Sequence, residues 1–199
     1  MLRLVLASAS PARLATLRSA GVEPVVIVSG VDESQLDDLP AAEHALQLAE
    51  LKCAAVAGRE DLPADCVVLG CDSVLELDGE VHGKPADAAE ADARWRRMRG
   101  RSGVLHTGHA LHDSVTGRVA AATASTTVRF AALSDDEVAA YVGTGEPLHV
   151  AGAFTIDGLG GAFVTGVEGD HHNVVGVSLP LVRDLLAELG RSWTDLWQR

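Results

Sequence analysis

Apolar positions along the chain switch between a period of two and a period near 3.6, and the switches mark out strands and helices in alternation. Leu2 to Ala7 is a short apolar run suited to a buried strand. Ser10 then caps a helix that has Pro11 at its first position and Gly21 past its end. Pro24 to Val28, rich in Val and Ile, predicts a second strand. Between Ala41 and Ala57 the residues Ala42, Leu46, Ala49, Cys53 and Val56 keep one apolar face at helical spacing; Gly58 closes this helix, which carries Lys52. Cys66 to Leu69 predicts a buried strand and Val74 to Leu77 another, with Asp72 at a strand end and Asp78-Gly79 as a hairpin turn.

Further along, Asp87 and Glu90 make a capping-box-like start for a helix whose Ala91, Trp95 and Met98 share a face, ending at Gly100. Val104 to Asp113 and Arg118 to Phe130 predict two long strands joined by a Thr116-Gly117 turn. Ser134 and Glu137 form a second capping box with Leu133 and Val138 at the staple positions, which predicts a helix to Val142 that stops at Gly143. Gly158 to Gly161 breaks the chain before a strand from Ala162 to Val167, and a closing helix runs from about Ser178 to Leu189. No linker, repeat or low-complexity tract divides the chain, so residues 1–199 are expected to form a single α/β domain.

Composition narrows the picture. Lys+Arg 16 against Asp+Glu 28 gives a net charge of -12, which argues against a nonspecific nucleic-acid binder with its basic footprint. Cys53, Cys66 and Cys71 have apolar neighbours and no CxxC pairing, so reduced, buried thiols are expected and no zinc framework is visible. The N-terminal apolar run is too short for a signal peptide and no stretch is long enough to span a bilayer, which makes the cytoplasm the expected location. His106, His109 and His112 fall on a strand, where positions three apart face opposite sides; His171 and His172, read as strand neighbours, diverge for the same reason. All five are expected to be structural or solvent-facing rather than metal ligands.

The familiar nucleotide fingerprints fail: no GxxxxGK[ST] occurs, and no GxGxxG follows the first strand. In "LASASPAR", Ser8, Ser10, the free amides at the helix start and Arg13 could take an anion. By itself, however, the stretch reads as a helix cap plus a surface arginine. Asp32-Glu33 and Asp72 follow strands, where α/β proteins build sites, and carboxylate oxygens suit Mg2+ or Mn2+; taken singly, each reads as a solvated loop carboxylate. Lys52 on its helix and Lys84 in Gly83-Lys84-Pro85 are phosphate ligands or surface charges, and individually decide nothing. Cys71 has no identifiable partner base and reads as a small buried residue.

Taken in order, "LASASPAR", "VDES", "LAELKCA", "GCDSVLELDGEVHGKP" and the long stretch from Gly145 to Val182 resemble the motifs of the Maf family of nucleoside triphosphate pyrophosphatases, nearly end to end. The resemblance implies an inosine-triphosphatase-like α/β fold, a mixed twisted sheet flanked by helices with the active-site cleft between two lobes. It implies a cytosolic house-cleaning hydrolase dependent on Mg2+ or Mn2+, which cleaves a nucleoside triphosphate to the monophosphate and pyrophosphate. Family members are often homodimers; no nucleic-acid or membrane partner is implied. By the same resemblance Ser8, Ser10, Arg13, Glu33, Lys52, Asp72 and Lys84 fall on active-site positions, with Asp72 at the proton acceptor and Asp72 and Glu33 the candidate metal ligands. A carboxylate of ordinary pKa, about 4, is a weak base at neutral pH, so orienting water or binding the metal stays open as the role of Asp72.

Four departures bear on specificity. Ala12 stands where the family usually has a second arginine, Ser73 replaces a threonine, His149-Val150 replaces a frequent Asp-Lys, and Asp157 replaces the glutamine of the pyrimidine-directed branch. An ionised carboxylate at Asp157 only accepts hydrogen bonds, which suits the N–H donors on the edge of guanine better than the mixed edge of uracil. A purine-directed branch acting on 7-methylguanosine triphosphate is similar in carrying an acidic residue there. The base preference is left unassigned, leaning to guanine-type over dTTP and UTP. Competing readings are a non-catalytic regulatory or binding protein linked to arrest of cell division, and a phosphatase that releases orthophosphate.

Overall fold

The computed structural model describes residues 2–32 and 39–197. Strand β1 (Arg3–Leu6), helix α1 (Pro11–Ser19), strand β2 (Val25–Val26) and helix α2 (Ala41–Ala57) come first. They are followed by β3 (Cys66–Leu77), β4 (Glu80–His82), α3 (Ala88–Met98) and the long hairpin of β5 (Ser102–Asp113) and β6 (Val119–Phe130). Helix α4 (Asp135–Gly143), β7 (Val164–Glu168), the short α5 (His171–Val175) and α6 (Leu179–Glu188) complete the order. The strands form one mixed sheet in the order β2-β1-β3-β5-β6-β7, with β4 paired to β3 off that path. Helices flank both of its faces, the α/β architecture expected. No helix among the described residues is long and apolar enough to cross a membrane.

The helix starts are where local chemistry put them. Ser10 accepts a hydrogen bond from Arg13 N, Ser134 and Glu137 form a complete reciprocal box, and Ser178 accepts from Leu181 N. Asp87 caps α3, but the Glu90 carboxylate reaches Ala86 N rather than the cap residue. Three expectations need correction. Cys66–Leu77 is one continuous strand rather than two, so Asp72 lies inside it and not at its end. β5 pairs with it from Val67 to Glu76 and carries the chain straight through Gly70. His171 and His172 open helix α5, because the Asp170 side chain caps His172 N and nucleates a turn. The strand expected from Ala162 begins at Val164, since Leu159–Phe163 winds into a 3-10 turn.

Alternation along β3 sorts the core into layers. Val67, Leu69 and Cys71 pack with Leu17 of α1 and with Val182, Leu185 and Leu186 of α6, whereas Val68 packs with Ala49, Cys53 and Val56 of α2. The α2 side is unusually close. A Cβ on Gly70 would sit 2.2 Å from Ala49 O, and one on Gly108 2.2 Å from Ala45 O, so the helix backbone rests almost directly on the sheet. A second core, built on Trp95, Phe130, Tyr141 and Phe154, holds the antiparallel half.

The sheet also has a gap. β1 pairs in parallel with Cys66 to Leu69, with Ala7 N to Leu69 O (2.8 Å) as its last rung, and β4 takes over only at Leu75. Between those points, among the described residues, that edge of β3 has no strand beside it.

Two predictions follow from this packing. Gly108→Ala forces the new methyl into the α2 backbone and is expected to cost about 3 kcal/mol of unfolding free energy by denaturant titration; a wild-type midpoint would contradict the close docking. His109, fully buried on β5, donates from Nδ1 to Thr107 O (3.0 Å) and accepts at Nε2 from Ser178 N (2.8 Å). Burial, together with the nearby Arg13 charge, lowers its pKa from 6.5 to about 4. The unfolded chain therefore binds a proton that the folded chain refuses, and stability falls as pH drops from about 6.5 toward 4, by up to about 3 kcal/mol from this group. His109→Gln, which cannot take up that proton, is expected to flatten this part of the stability curve. An unchanged slope would remove His109 as its source.

Candidate active site

A cleft of about 620 Å³ opens over the unpaired edge of β3. On its floor the Lys52 ammonium donates to Asp72 Oδ1 at 2.6 Å, with Lys52 7% and Asp72 8% exposed. The pairing follows from the close docking of α2: Asp72 sits directly across from Gly108 in the β3–β5 register and shares the α2 face. Asp72 Oδ2 accepts no hydrogen bond from the described residues. His44 and Leu48 line the same cleft, eight and four residues before Lys52, so one stripe of α2 faces it. His44 went unnoticed in the sequence, although its spacing from Lys52 was the available signal.

The start of α1 forms one wall. Ser8 Oγ accepts from Ser10 N (3.2 Å) and from Arg13 Nη1 (3.0 Å). Arg13 also donates from Nε to Gly176 O (2.7 Å) and from Nη2 to Ser73 Oγ (2.9 Å), and is 8% exposed. Each guanidinium nitrogen is thus engaged by the protein, leaving one N–H on each Nη for anything else. Its first role is to tie the helix start to β3 and to the end of α5. Gly176 has φ +116, and a Cβ there would approach Arg13 Nε to 3.2 Å, so this corner requires glycine.

Behind Arg13 a buried polar chain continues. Ser73 Oγ meets Thr107 Oγ1 at 2.9 Å, Thr107 donates to Asn173 O (3.2 Å), and Asn173 Nδ2 donates to Leu105 O and Thr126 Oγ1 (3.1 Å each). Ser73 keeps the hydroxyl that Arg13 uses. Thr107, Asn173 and Gly176 escaped sequence reasoning, because their partners are brought together only by the fold.

Lys84 stands exposed on the turn after β4, at the rim. That turn is fixed by the Gly83 carbonyl, which accepts from Arg94 Nη1 (2.6 Å) and Gly152 N (3.1 Å). Ala12, His149, Val150 and Asp157 line the cleft as well. Ser8, Ser10, Ala12, Arg13, Lys52, Asp72, Ser73, Lys84 and Asp157 therefore share one cavity; Asp32 does not line it, and Glu33 lies outside the described residues. No group of three or more His, Cys, Asp or Glu side chains among the described residues could hold a metal alone. Burial pushes the Cys53 and Cys71 thiols up to about 12, which leaves no nucleophilic thiolate at neutral pH. His106 bridges Ser125 Oγ (2.8 Å) and Glu76 Oε2 (3.0 Å), away from the cleft lining.

The model of the Maf-like protein family matches residues 3–189. A nucleoside triphosphate pyrophosphatase of Salinispora tropica is 64% identical over 200 residues, covering 100% of this chain and 88% of that protein. One of Streptomyces avermitilis is 60% identical over 195 residues, covering 98% and 94%. Among solved structures, a nucleoside-triphosphatase / dITP/XTP pyrophosphatase of Mycobacterium abscessus aligns with TM-score 0.41 at 17% identity, over 67% of this chain and 76% of that one, a likeness too slight to bear on function.

The cage around Arg13 separates an internal tie from a pure ligand-binding group. Arg13→Lys can replace at most part of the three-way bonding and is expected to lower the stability of the ligand-free protein by about 2 kcal/mol, measured by denaturant unfolding. Unaltered ligand-free stability would assign Arg13 to substrate alone.

Proposed function

The chain belongs to the Maf-like protein family, and on that premise we propose that it is a nucleoside triphosphate pyrophosphatase, cleaving its substrate to the nucleoside monophosphate and pyrophosphate with a divalent cation. The observation that carries the reading is the buried Lys52–Asp72 pair on the floor of a cleft walled by the start of α1. Free amides and hydroxyls at a helix start favour phosphate oxygens, and Lys84 adds positive charge from the rim.

The donor set suits a hard cation. Mg2+ or Mn2+ is commonly held by one or two carboxylates, with water and substrate phosphates filling the remaining positions. Asp72, with Glu33 as the second candidate, would hold it, and when bound it would neutralise phosphate charge. Lys52 fixes the Asp72 carboxylate through Oδ1, which leaves Oδ2 to hold a water for attack at the α-phosphorus. Lys52 and Lys84 then face charge developing on the departing pyrophosphate, where phosphoryl-type transfer gains most. Asp157 at the rim offers acceptors only, the arrangement for a base edge with N–H donors such as guanine. The cytoplasm, where free nucleotides are, is the location that fits this activity.

The test is an assay of pyrophosphate and orthophosphate from a panel of nucleoside triphosphates, with and without Mg2+ or Mn2+. Pyrophosphate with a metal requirement is expected, with guanine-type substrates ahead of dTTP and UTP. Asp72→Asn keeps an acceptor for Lys52 and is expected to remain folded by circular dichroism while losing about a hundredfold or more in turnover. Orthophosphate as the main product would replace the reading with a phosphatase. No product from any nucleotide would leave a binding protein, and undiminished Asp72→Asn would remove Asp72 from the mechanism.

A further inference from the structure

Asp157 is exposed and takes no hydrogen bond with its own side chain from the described residues, so its position at the cleft is set by its backbone. That backbone folds around one carboxylate. Glu146 Oε1 accepts from Thr155 Oγ1 (2.5 Å), Tyr141 OH (2.8 Å) and Gly160 N (3.0 Å), while Oε2 accepts from Leu159 N (3.0 Å). Tyr141 OH in turn accepts from Thr155 N at 3.2 Å. These bonds grip the chain on both sides of Asp157. The fit leaves no slack: a Cβ on Gly158 would lie 2.5 Å from Glu146 Oε2, and one on Gly160 2.3 Å from Tyr141 OH.

The grip is rooted in the second core. Tyr141, 3% exposed, packs edge-on against Trp95 (5.4 Å, 85°) and Phe163 (5.3 Å, 63°), and Trp95 Nε1 donates to Ala153 O at 2.7 Å, just before Phe154 enters the cleft lining. Burial alone would raise the Glu146 pKa, but the donors around the carboxylate reverse that and hold it below the ordinary glutamate value. The charged form is therefore the one that the segment is built on.

We infer that Glu146, through Tyr141 and the 155–160 turn, is a positioning residue for substrate selection, holding Asp157 where it meets the nucleoside. This rests on the reading of Asp157 as a contact of the base. Glu146 lies outside the Lys52–Asp72 centre, so its effect falls on discrimination among nucleotides rather than on the hydrolytic step. A merely structural strut would instead lower activity toward every nucleotide alike.

Glu146→Gln puts an amide donor against donors on one side of the clamp whichever way it turns. Tyr141→Phe removes only a hydroxyl and keeps the ring in the aromatic cluster, so it supplies a variant that folds. For both, the ratio of kcat/KM between guanine-type and uracil-type triphosphates is expected to fall about tenfold or more toward unity, through KM more than kcat. Amide exchange at residues 155–160 is expected to quicken while that of β3 and β5 holds.

An unchanged ratio in both variants, where Asp157→Asn does change it, would overturn the inference. So would a loss of equal factor for every nucleotide. If Asp157→Asn itself leaves the ratio unaltered, the contact fails and the inference falls with it. If the wild type releases no pyrophosphate, the proposed function fails on its own account, and the exchange arm still decides the clamp: unchanged exchange at 155–160 overturns it.

Discussion

Two opposite charges withdrawn from water at the floor of the cleft dictate how closely helix α2 lies on the sheet. With side chains only 9% and 12% exposed, Lys52 and Asp72 tolerate burial because each faces the other at 2.6 Å. Removing one partner of such a pair typically costs about 3–5 kcal/mol, so α2 must approach β3 to within hydrogen-bond reach. Side chains on the sheet would forbid that approach. Gly70 and Gly108 permit it, because each lies where any Cβ would enter the helix backbone. A packing requirement at two bare positions thereby becomes an electrostatic one at the site.

The same sheet supplies the opening. The parallel half ends at Ala7 and the antiparallel partner β4 begins only at Leu75, so among the described residues no strand covers the edge of β3 at the level of Asp72. The chain leaving β1 turns there into α1, and Arg13 pins that turn to Ser73 and Gly176 from within. The floor of the cleft and its α1 wall are thus built from strand interiors, a helix start and buried hydrogen bonds. The rim that carries Asp157 is different: irregular chain gathered around the Glu146 carboxylate.

Much of this was legible in the sequence. Helix starts were readable because Ser10, Asp87, Ser134 and Ser178 act through their own backbones, a local effect. The candidate residues were readable as a set through the motif resemblance, and those described converge on one cleft. Strand β3 was not: Gly-Cys-Asp-Ser looks like a turn because glycine and polar residues break strand patterns, whereas here the glycine serves helix docking and the aspartate an ion pair. His171 and His172 were misread for want of the Asp170 cap. Arg13 reaches partners 60 and 163 positions away, and Glu146 gathers donors 5 to 14 positions away along irregular chain; neither arrangement follows a local period.

In the proposed reaction the Lys52–Asp72 pair marks the bond to be cut. The most direct test of this is a structure of the protein with a nucleoside triphosphate analogue bridged by methylene between the α and β phosphates. The α-phosphorus is expected over Asp72, with the two outer phosphates running toward Ser8, Ser10 and Lys84. A γ-phosphorus over Asp72, or a triphosphate bound away from the cleft floor, would contradict it.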